Sequence, residues 1–194
     1  IAGDPRIVKY VDVPLQHMSS PVLRRMRRGI SGDRQVALLD HVRERIPDVA
    51  IRTTLITGFP GETDADHARN VETVEGGAFD RLGVFAYSPE EGTPAHDLPD
   101  AVPPELAEER RAELMAAQQR IHFGRNAARI GQRVDVLVEV VDRGARTARG
   151  RTPHDAPDVD AGVRIEEAGE DVEVGRVRSV RITGTDAYDL VGVP

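Results

Sequence analysis

Arg52-Thr53-Thr54-Leu55-Ile56-Thr57-Gly58-Phe59-Pro60-Gly61-Glu62-Thr63 is the stretch on which the fold of this chain turns. Thr53, Leu55 and Thr57 alternate with Arg52, Thr54 and Ile56 in a β-branched run that continues from Ile51, a pattern suited to a central strand. Gly58 and Gly61 bracket Phe59-Pro60, so the backbone can turn sharply and lie close to whatever sits above the strand. Thr63 is placed to cap a following helix, with Asp64 and Asp66 set to complement its dipole. A parallel strand that ends in a tight glycine turn and a helix N-terminus is where α/β proteins bind ligands. An ordinary βα loop has the same pattern and, on pattern alone, is the commoner explanation.

Upstream, Ile7 to Pro14 reads as a strand, and Leu15 to Pro21 as a loop in which Ser20 caps a helix with Pro21 at its first position. That helix carries Val22, Leu23 and Met26 among Arg24, Arg25, Arg27 and Arg28. A solvated face explains these arginines, and so does an anionic ligand nearby. After Gly29 and Gly32, Asp33 is expected to cap a second helix in which Val36, Leu39, Val42 and Ile46 recur at helical spacing until Pro47. Downstream, a helix from Asp64 to about Glu75 ends at Gly76-Gly77, and Leu82 to Tyr87 forms a third strand. This order calls for parallel strands with right-handed crossovers, in an open sheet or in part of a (βα) barrel. Ser88 to Pro94 then places Glu90 beside Glu91, a pair that is more often a solvated loop than a metal or acid–base site. Pro99 to Pro104 reads as a linker. Glu105 to about Arg129 reads as a long polar helix whose sparse apolar residues are Leu106, Leu114, Ile121 and Phe123.

From Gly131 the texture changes. Val134, Val136, Val138 and Val140 alternate with Asp135, Leu137, Glu139 and Val141, as in a half-buried antiparallel strand. Short β-rich segments follow near 147–151, 163–165, 172–174, 177–183 and 188–191, separated by proline and glycine. Strands so short and so close together predict a small closed barrel of the OB or SH3-like sort. The expected organisation is therefore α/β over residues 1–128 and all-β over 129–194.

Composition narrows the function. A net charge of −7 argues against a generic nucleic-acid surface. With no cysteine, the chain forms no disulfide, thiolate zinc site or cysteine-ligated iron–sulfur cluster. Its six histidines show no paired metal spacing, and no metal-ligating residue is singled out. The absence of a leader and of a long apolar run predicts a cytoplasmic protein with no membrane partner. The first residue is Ile1 rather than Met, so a fragment of a longer chain is expected.

Four stretches together carry a resemblance. Val13-Pro14-Leu15-Gln16-His17, the Leu23/Met26/Arg28 helix, Arg52 to Thr63, and Gly83 to Ala95 resemble, in that order, the radical S-adenosylmethionine methylthiotransferases, and the downstream barrel looks like that family's TRAM domain. Gln16-His17, Arg52-Thr53-Thr54 and Glu90-Glu91 are most similar to the RimO branch, which methylthiolates an aspartate β-carbon on a small-subunit ribosomal protein. The alternatives are a fragment of a tRNA methylthiotransferase and a non-catalytic substrate-binding module. The resemblance implies the C-terminal half of a partial (βα) barrel followed by TRAM. It implies S-adenosylmethionine and two 4Fe–4S clusters as cofactors, the cluster ligands being absent from this chain, which alone is expected to be inactive.

The same resemblance turns the strand ends Gln16 to Ser19, Thr54 to Gly58 and Phe85 to Ser88 toward the cofactor, with Gln16, His17, Ser19, Thr54, Gly58, Phe85 and Tyr87 as candidate binding residues. Gly58 and Gly61 would permit close backbone approach. Phe85 and Tyr87 would flank the adenine or fill the core beneath it. Arg28 or Arg52 would pair with the methionyl carboxylate, because a guanidinium forks onto a carboxylate; Arg52 in an ion pair and Phe85 in the core are the plainer alternatives. No catalytic residue is assigned. From Arg129 on there are ten arginines against thirteen acidic residues. That balance favours a basic ribosomal protein over tRNA as the partner of the TRAM barrel.

Overall fold

Strands β1 (Tyr10–Asp12), β2 (Ala50–Thr57) and β3 (Arg81–Ala86) form a sheet in the order β1-β2-β3 in the computed structural model, which describes all 194 residues. β2 and β3 are parallel, with Thr54 opposite Gly83 and Ile56 opposite Phe85. Period-two alternation gives β2 two different faces. Ile51, Thr53, Leu55 and Thr57 are buried, and Arg52, Thr54 and Ile56 are half-buried on the other side. The buried face joins Leu39, Val74, Phe79, Val84 and Leu114 in one core. Each such side chain contributes roughly 1.5–3 kcal/mol by leaving water.

The first strand is shorter than the Ile7 to Pro14 run suggests: Ile7 N–H is spent on a local turn, donating to Asp4 O (3.2 Å), and Pro14 has no N–H to give to the ladder. Contact with β2 continues on either side of Pro14: Val13 N–H donates to Arg52 O (3.0 Å), Gln16 N–H donates to Thr54 O (2.9 Å), and Ile56 N–H donates to Gln16 O (2.8 Å). Ile7 and Val8 stay exposed.

Helices α1 (Ser20–Arg25), α2 (Gly32–Arg45) and α3 (Asp64–Glu75) follow the expected order. Two of the expected caps shift by one or two residues. Ser19, not Ser20, occupies the N-cap of α1, and its hydroxyl is used elsewhere. Ser31, not Asp33, caps α2, accepting Arg34 N–H at 3.3 Å, while Asp33 lies in the first turn. Thr63 caps α3 as expected, in a reciprocal box: its hydroxyl accepts Asp66 N–H (3.3 Å) and Asp66 accepts Thr63 N–H (3.0 Å). Helix α4 (Pro104–Ala127) buries Ala107, Arg110, Leu114, Ala117 and Gln118 at helical spacing. Its apolar residues look sparse because alanine and arginine make up much of that buried stripe.

Five strands, β4 (Arg133–Asp142), β5 (Thr147–Arg151), β6 (Val163–Ile165), β7 (Val177–Asp186) and β8 (Asp189–Val193), close a barrel in the order β4-β5-β6-β8-β7. Only β6 and β8 pair in parallel. Val136, Val138, Val163, Ile165, Val180 and Ile182 fill it. Alternation places Val140 inside with Val138, but a register shift between them turns Val140 outward, 59% exposed, and Val141 packs in its place. The expected 172–174 strand is a turn region instead, in which Val172 is buried and Val174 exposed. The chain divides into the units 11–121 and, together, 1–10 with 122–194, so the first ten residues and the last turns of α4 group with the barrel. Tyr10 illustrates this, donating its hydroxyl to Asp160 at 2.6 Å.

Candidate functional site

At the carboxyl ends of β2 and β3 a cavity of about 290 Å³ opens on the face that the α/β core leaves free. Ile56 reaches it through the alternation of β2. Tyr87, one residue past β3, is fixed by donating its N–H to Thr57 O (2.8 Å). Its ring meets Phe59 edge to face at 5.1 Å. Its hydroxyl is buried without a hydrogen-bond partner. Such a group costs about 1–3 kcal/mol unless something supplies the missing bond. Gln16 lines the cavity from the bridge it forms beside Leu55, and its φ of 72° is left-handed. Thr93, Pro94, Ala95 and Leu98, in the loop between β3 and α4, complete the wall.

The end of α1 supplies the charge. Arg27 N–H donates to Arg24 O (3.0 Å) and Arg28 N–H to Leu23 O (2.8 Å), the paired bonds of a Schellman cap. That cap puts Arg27 at φ 57°, where glycine is the usual residue. An arginine there costs on the order of 1 kcal/mol. Arg27 and Arg28 are exposed, line the cavity and have no ion-pair partner. Arg25 is tied down instead, donating to Pro60 O (3.1 Å), to Pro99 O (3.4 Å) and to the Asp100 carboxylate (3.0 Å). Its guanidinium occupies the space that a Cβ at Gly61 would need, 2.0 Å from that position.

Behind the cavity lies a buried polar cluster. Glu62 is fully buried; one carboxylate oxygen accepts Gly58 N–H, and the other lies 3.6 Å from Arg110 Nη1 and 3.7 Å from both His17 Nε2 and His67 Nδ1. His17 accepts Ser19 N–H at Nδ1 (2.9 Å) and abuts Asn70 (3.0 Å). The Ser19 hydroxyl donates to Asp66. Burial pushes the Asp66 carboxyl up, but the hydrogen bonds from Ser19 and Thr63 outweigh it and hold the group below the usual carboxylate range.

Of the ten residues singled out in the sequence, Gln16, Arg28 and Tyr87 meet at the cavity. His17 and Ser19 sit behind it in the polar cluster. Gly58 and Gly61, expected to admit a ligand, make room for protein: a Cβ at Gly58 would lie 2.2 Å from Ala107 Cβ, and the one at Gly61 would strike Arg25. Arg52 pairs with Asp12 at 2.9 Å. Thr54 and Phe85 stand on the open sheet face below the cavity, and Phe85 is 61% exposed, so it neither fills the core nor walls the cavity. Alternation is the reason, since Val84 takes the inward position. Glu90 and Glu91 are exposed loop residues. No group of three histidine or acidic side chains is placed to hold a metal ion, and no helix is long and apolar enough to cross a membrane. Ile56 lies within the 54–58 strand end expected to face the cofactor, and Arg25 and Arg27 read only as part of an arginine cluster near a possible anion; Phe59 and Glu62 were not legible as site residues. The signal for Arg27 was the missing glycine directly after the Val22-Leu23-Met26 stripe.

The sequence matches the radical SAM superfamily over residues 2–74 and the TRAM domain over residues 130–194. It is 47% identical to the ribosomal protein uS12 methylthiotransferase RimO of Synechococcus sp. (strain RCC307) over 97% of this chain and 39% of that protein. The protein of the same name from Syntrophotalea carbinolica is 47% identical over 99% of this chain and 42% of its own length. That from Geobacter sulfurreducens is 44% identical over 99% and 43%. The chain thus spans about two fifths of the length of the curated relatives it matches.

Proposed function

We propose that this chain, which belongs to the radical SAM superfamily and carries a TRAM domain, holds S-adenosylmethionine in the cavity at the ends of β2 and β3 as part of a methylthiotransferase. Its target would be an aspartate β-carbon in a small-subunit ribosomal protein, a substrate that puts the reaction in the cytoplasm. The observation that carries the cofactor assignment is the cavity itself, where an apolar and aromatic wall of Ile56, Phe59 and Tyr87 stands beside the unpaired Arg28 guanidinium. An adenosyl group with an aminocarboxylate tail answers both. Ile56, Phe59 and Tyr87 offer that wall to the adenine, and Arg28 forks onto the carboxylate. Gln16 brings a side-chain amide to the same wall. When bound, the cofactor supplies the radical chemistry and the methyl group. The chain's own part is to bind and orient it and to keep water from one side of it. An iron–sulfur cluster held by cysteine thiolates does not fit the residues of this chain, which has none.

The barrel is the proposed dock for the protein substrate. Several of its arginines are already engaged: Arg149 pairs with Asp189, Arg151 with Glu139, Arg164 with Glu166, and Arg143 caps the carbonyls of Gly169 and Val172. Arg133 and Arg181, cross-strand neighbours, have no carboxylate partner, and neither Glu167 nor Glu170 has an arginine partner; what supports a basic protein over a phosphate backbone is the excess of thirteen acidic residues over ten arginines.

Titration of the chain with S-adenosylhomocysteine tests the cofactor assignment. Binding should weaken about tenfold or more in Arg28→Gln, the loss of a charge-assisted pair. Equal affinity in the wild type and the variant would remove Arg28 from the site. Titration with a basic ribosomal protein and with tRNA at physiological salt tests the dock, and tighter tRNA binding with a steep salt slope would sink it.

A further inference from the structure

The cavity has more positive charge than its proposed cofactor can use. Arg25, Arg27 and Arg28 line it, and no lining residue is acidic. Asp100 answers Arg25, which leaves two guanidiniums uncompensated. S-adenosylmethionine carries one carboxylate against an ammonium and a sulfonium, so it is a net cation with a single group for an arginine to grip. When that carboxylate is bound, one exposed guanidinium is left without a counter-charge beside a ligand of net positive charge, a field that favours a second anion there.

We propose that Arg27 binds that second anion, and that it is the side-chain carboxylate of the residue to be modified. The inference rests on the cofactor reading given above and adds a substrate-binding residue to it. Three observations single out Arg27 rather than Arg24 or Arg28. Arg27 lines the cavity and Arg24 does not. It stands at the left-handed position of a Schellman cap, where glycine would serve the backbone better. Gln16, the other lining residue with a left-handed φ other than glycine, borders the same cavity, so strained backbone is gathered at one place. A guanidinium presents a planar fork to a carboxylate and has no such bidentate partner in a carboxamide, which makes Arg27 a selector for aspartate over asparagine.

The backbone also provides an unusually clean variant. Arg27→Gly removes the guanidinium while giving the cap its preferred residue, so the variant should fold with a thermal midpoint no lower than that of the wild type. The probes are S-adenosylhomocysteine, N-acetyl-aspartate N-methylamide and its asparagine counterpart, each titrated by NMR into the chain. In the wild type the aspartyl probe should bind about tenfold or more tightly than the asparaginyl probe. In Arg27→Gly that ratio should fall to about one while S-adenosylhomocysteine affinity stays within about twofold, and Arg28→Gln should do the reverse. A ratio that survives in Arg27→Gly overturns the proposal. So does a loss of S-adenosylhomocysteine affinity in Arg27→Gly as large as in Arg28→Gln, or the absence of any aspartyl preference in a wild type that binds S-adenosylhomocysteine. If S-adenosylhomocysteine fails to bind the wild type and an Arg27-dependent aspartyl preference remains, the cofactor reading falls and the carboxylate site stands.

Discussion

Gly58→Ala should be far more damaging than its size suggests, and the damage should come from α4 rather than from a ligand. The added Cβ would sit 2.2 Å from Ala107 Cβ and 3.1 Å from Ala107 Cα, at a φ of +74° that alanine tolerates poorly. The left-handed backbone costs about 1 kcal/mol. Relief of the clash requires α4 to shift, an overpacking cost of about 1–3 kcal/mol. That shift also stretches the bond from the Thr57 hydroxyl to Ala107 O, now 2.9 Å, for about 1 kcal/mol more. The total is about 3–5 kcal/mol, and at a urea slope of about 1–3 kcal/mol per molar the midpoint of the unit spanning 11–121 should fall by at least about 1 M. Equilibrium unfolding followed by the far-ultraviolet helical signal measures this, while any separate barrel transition stays in place. Pairing the change with Ala107→Gly should return the steric part, so a double-mutant cycle should show about 1–3 kcal/mol of coupling. A cost below about 1 kcal/mol, or a cycle without coupling, would refute the packing explanation and return Gly58 to a role at the ligand.

Arg25→Ala should leave global stability within about 1 kcal/mol, because its pair with Asp100 is largely exposed. It should nevertheless speed exchange of the Gly61 amide, which bonds to Asp100 O at 2.7 Å, and unchanged exchange would contradict the role of Arg25 as a strut. Glu62→Ala should cost about 3–5 kcal/mol by stranding Arg110, His17 and His67 around a vacated buried site; Glu62→Gln, which keeps an acceptor for Gly58, should cost less, and equal unfolding midpoints for the two would argue against it. For Asp66 the folded pKa lies below the unfolded one, so the unfolded state binds more protons as acid is added. Its stabilisation is therefore complete above the ordinary aspartate range and is lost as pH falls through the depressed value. Asp66→Asn should flatten that part of the acid dependence of the urea midpoint, and an acid slope identical to that of the wild type would disprove the assignment.

The parts of this fold that were legible in the sequence are those decided locally. The alternation of Ile51 to Thr57 fixed which side chains β2 buries, and Thr63 and Asp66 make the box their spacing announces. What escaped depends on residues far along the chain. Glu62 reads as one more carboxylate near a helix start until Arg110, 48 residues on, closes over it. Gly58 and Gly61 read as a ligand turn because nothing local says that Ala107 and Arg25 take the space beside them. Arg24, Arg25, Arg27 and Arg28 read alike in the sequence and separate only by geometry: Arg25 braces a loop at the cavity edge, Arg27 and Arg28 face the cavity unpaired, and Arg24 faces solvent. Val140 shows the limit of periodicity itself, since a single bulged residue moved it to the other face of its strand.

The position of β8 has a consequence for biosynthesis. β8, the last of the barrel's strands in chain order, lies between β6 and β7, pairing in parallel with one and antiparallel with the other. Until residues 189–193 leave the ribosome, β6 has only β5 beside it, β7 has only β4, and the row of open hydrogen-bonding groups on each is available to any passing strand. Pairing across such long sequence separations is slow. The nascent barrel therefore spends its most adhesive interval waiting for β8. Slow translation through that segment, or loss of it, should send the chain to aggregates or chaperones rather than to a weakened barrel.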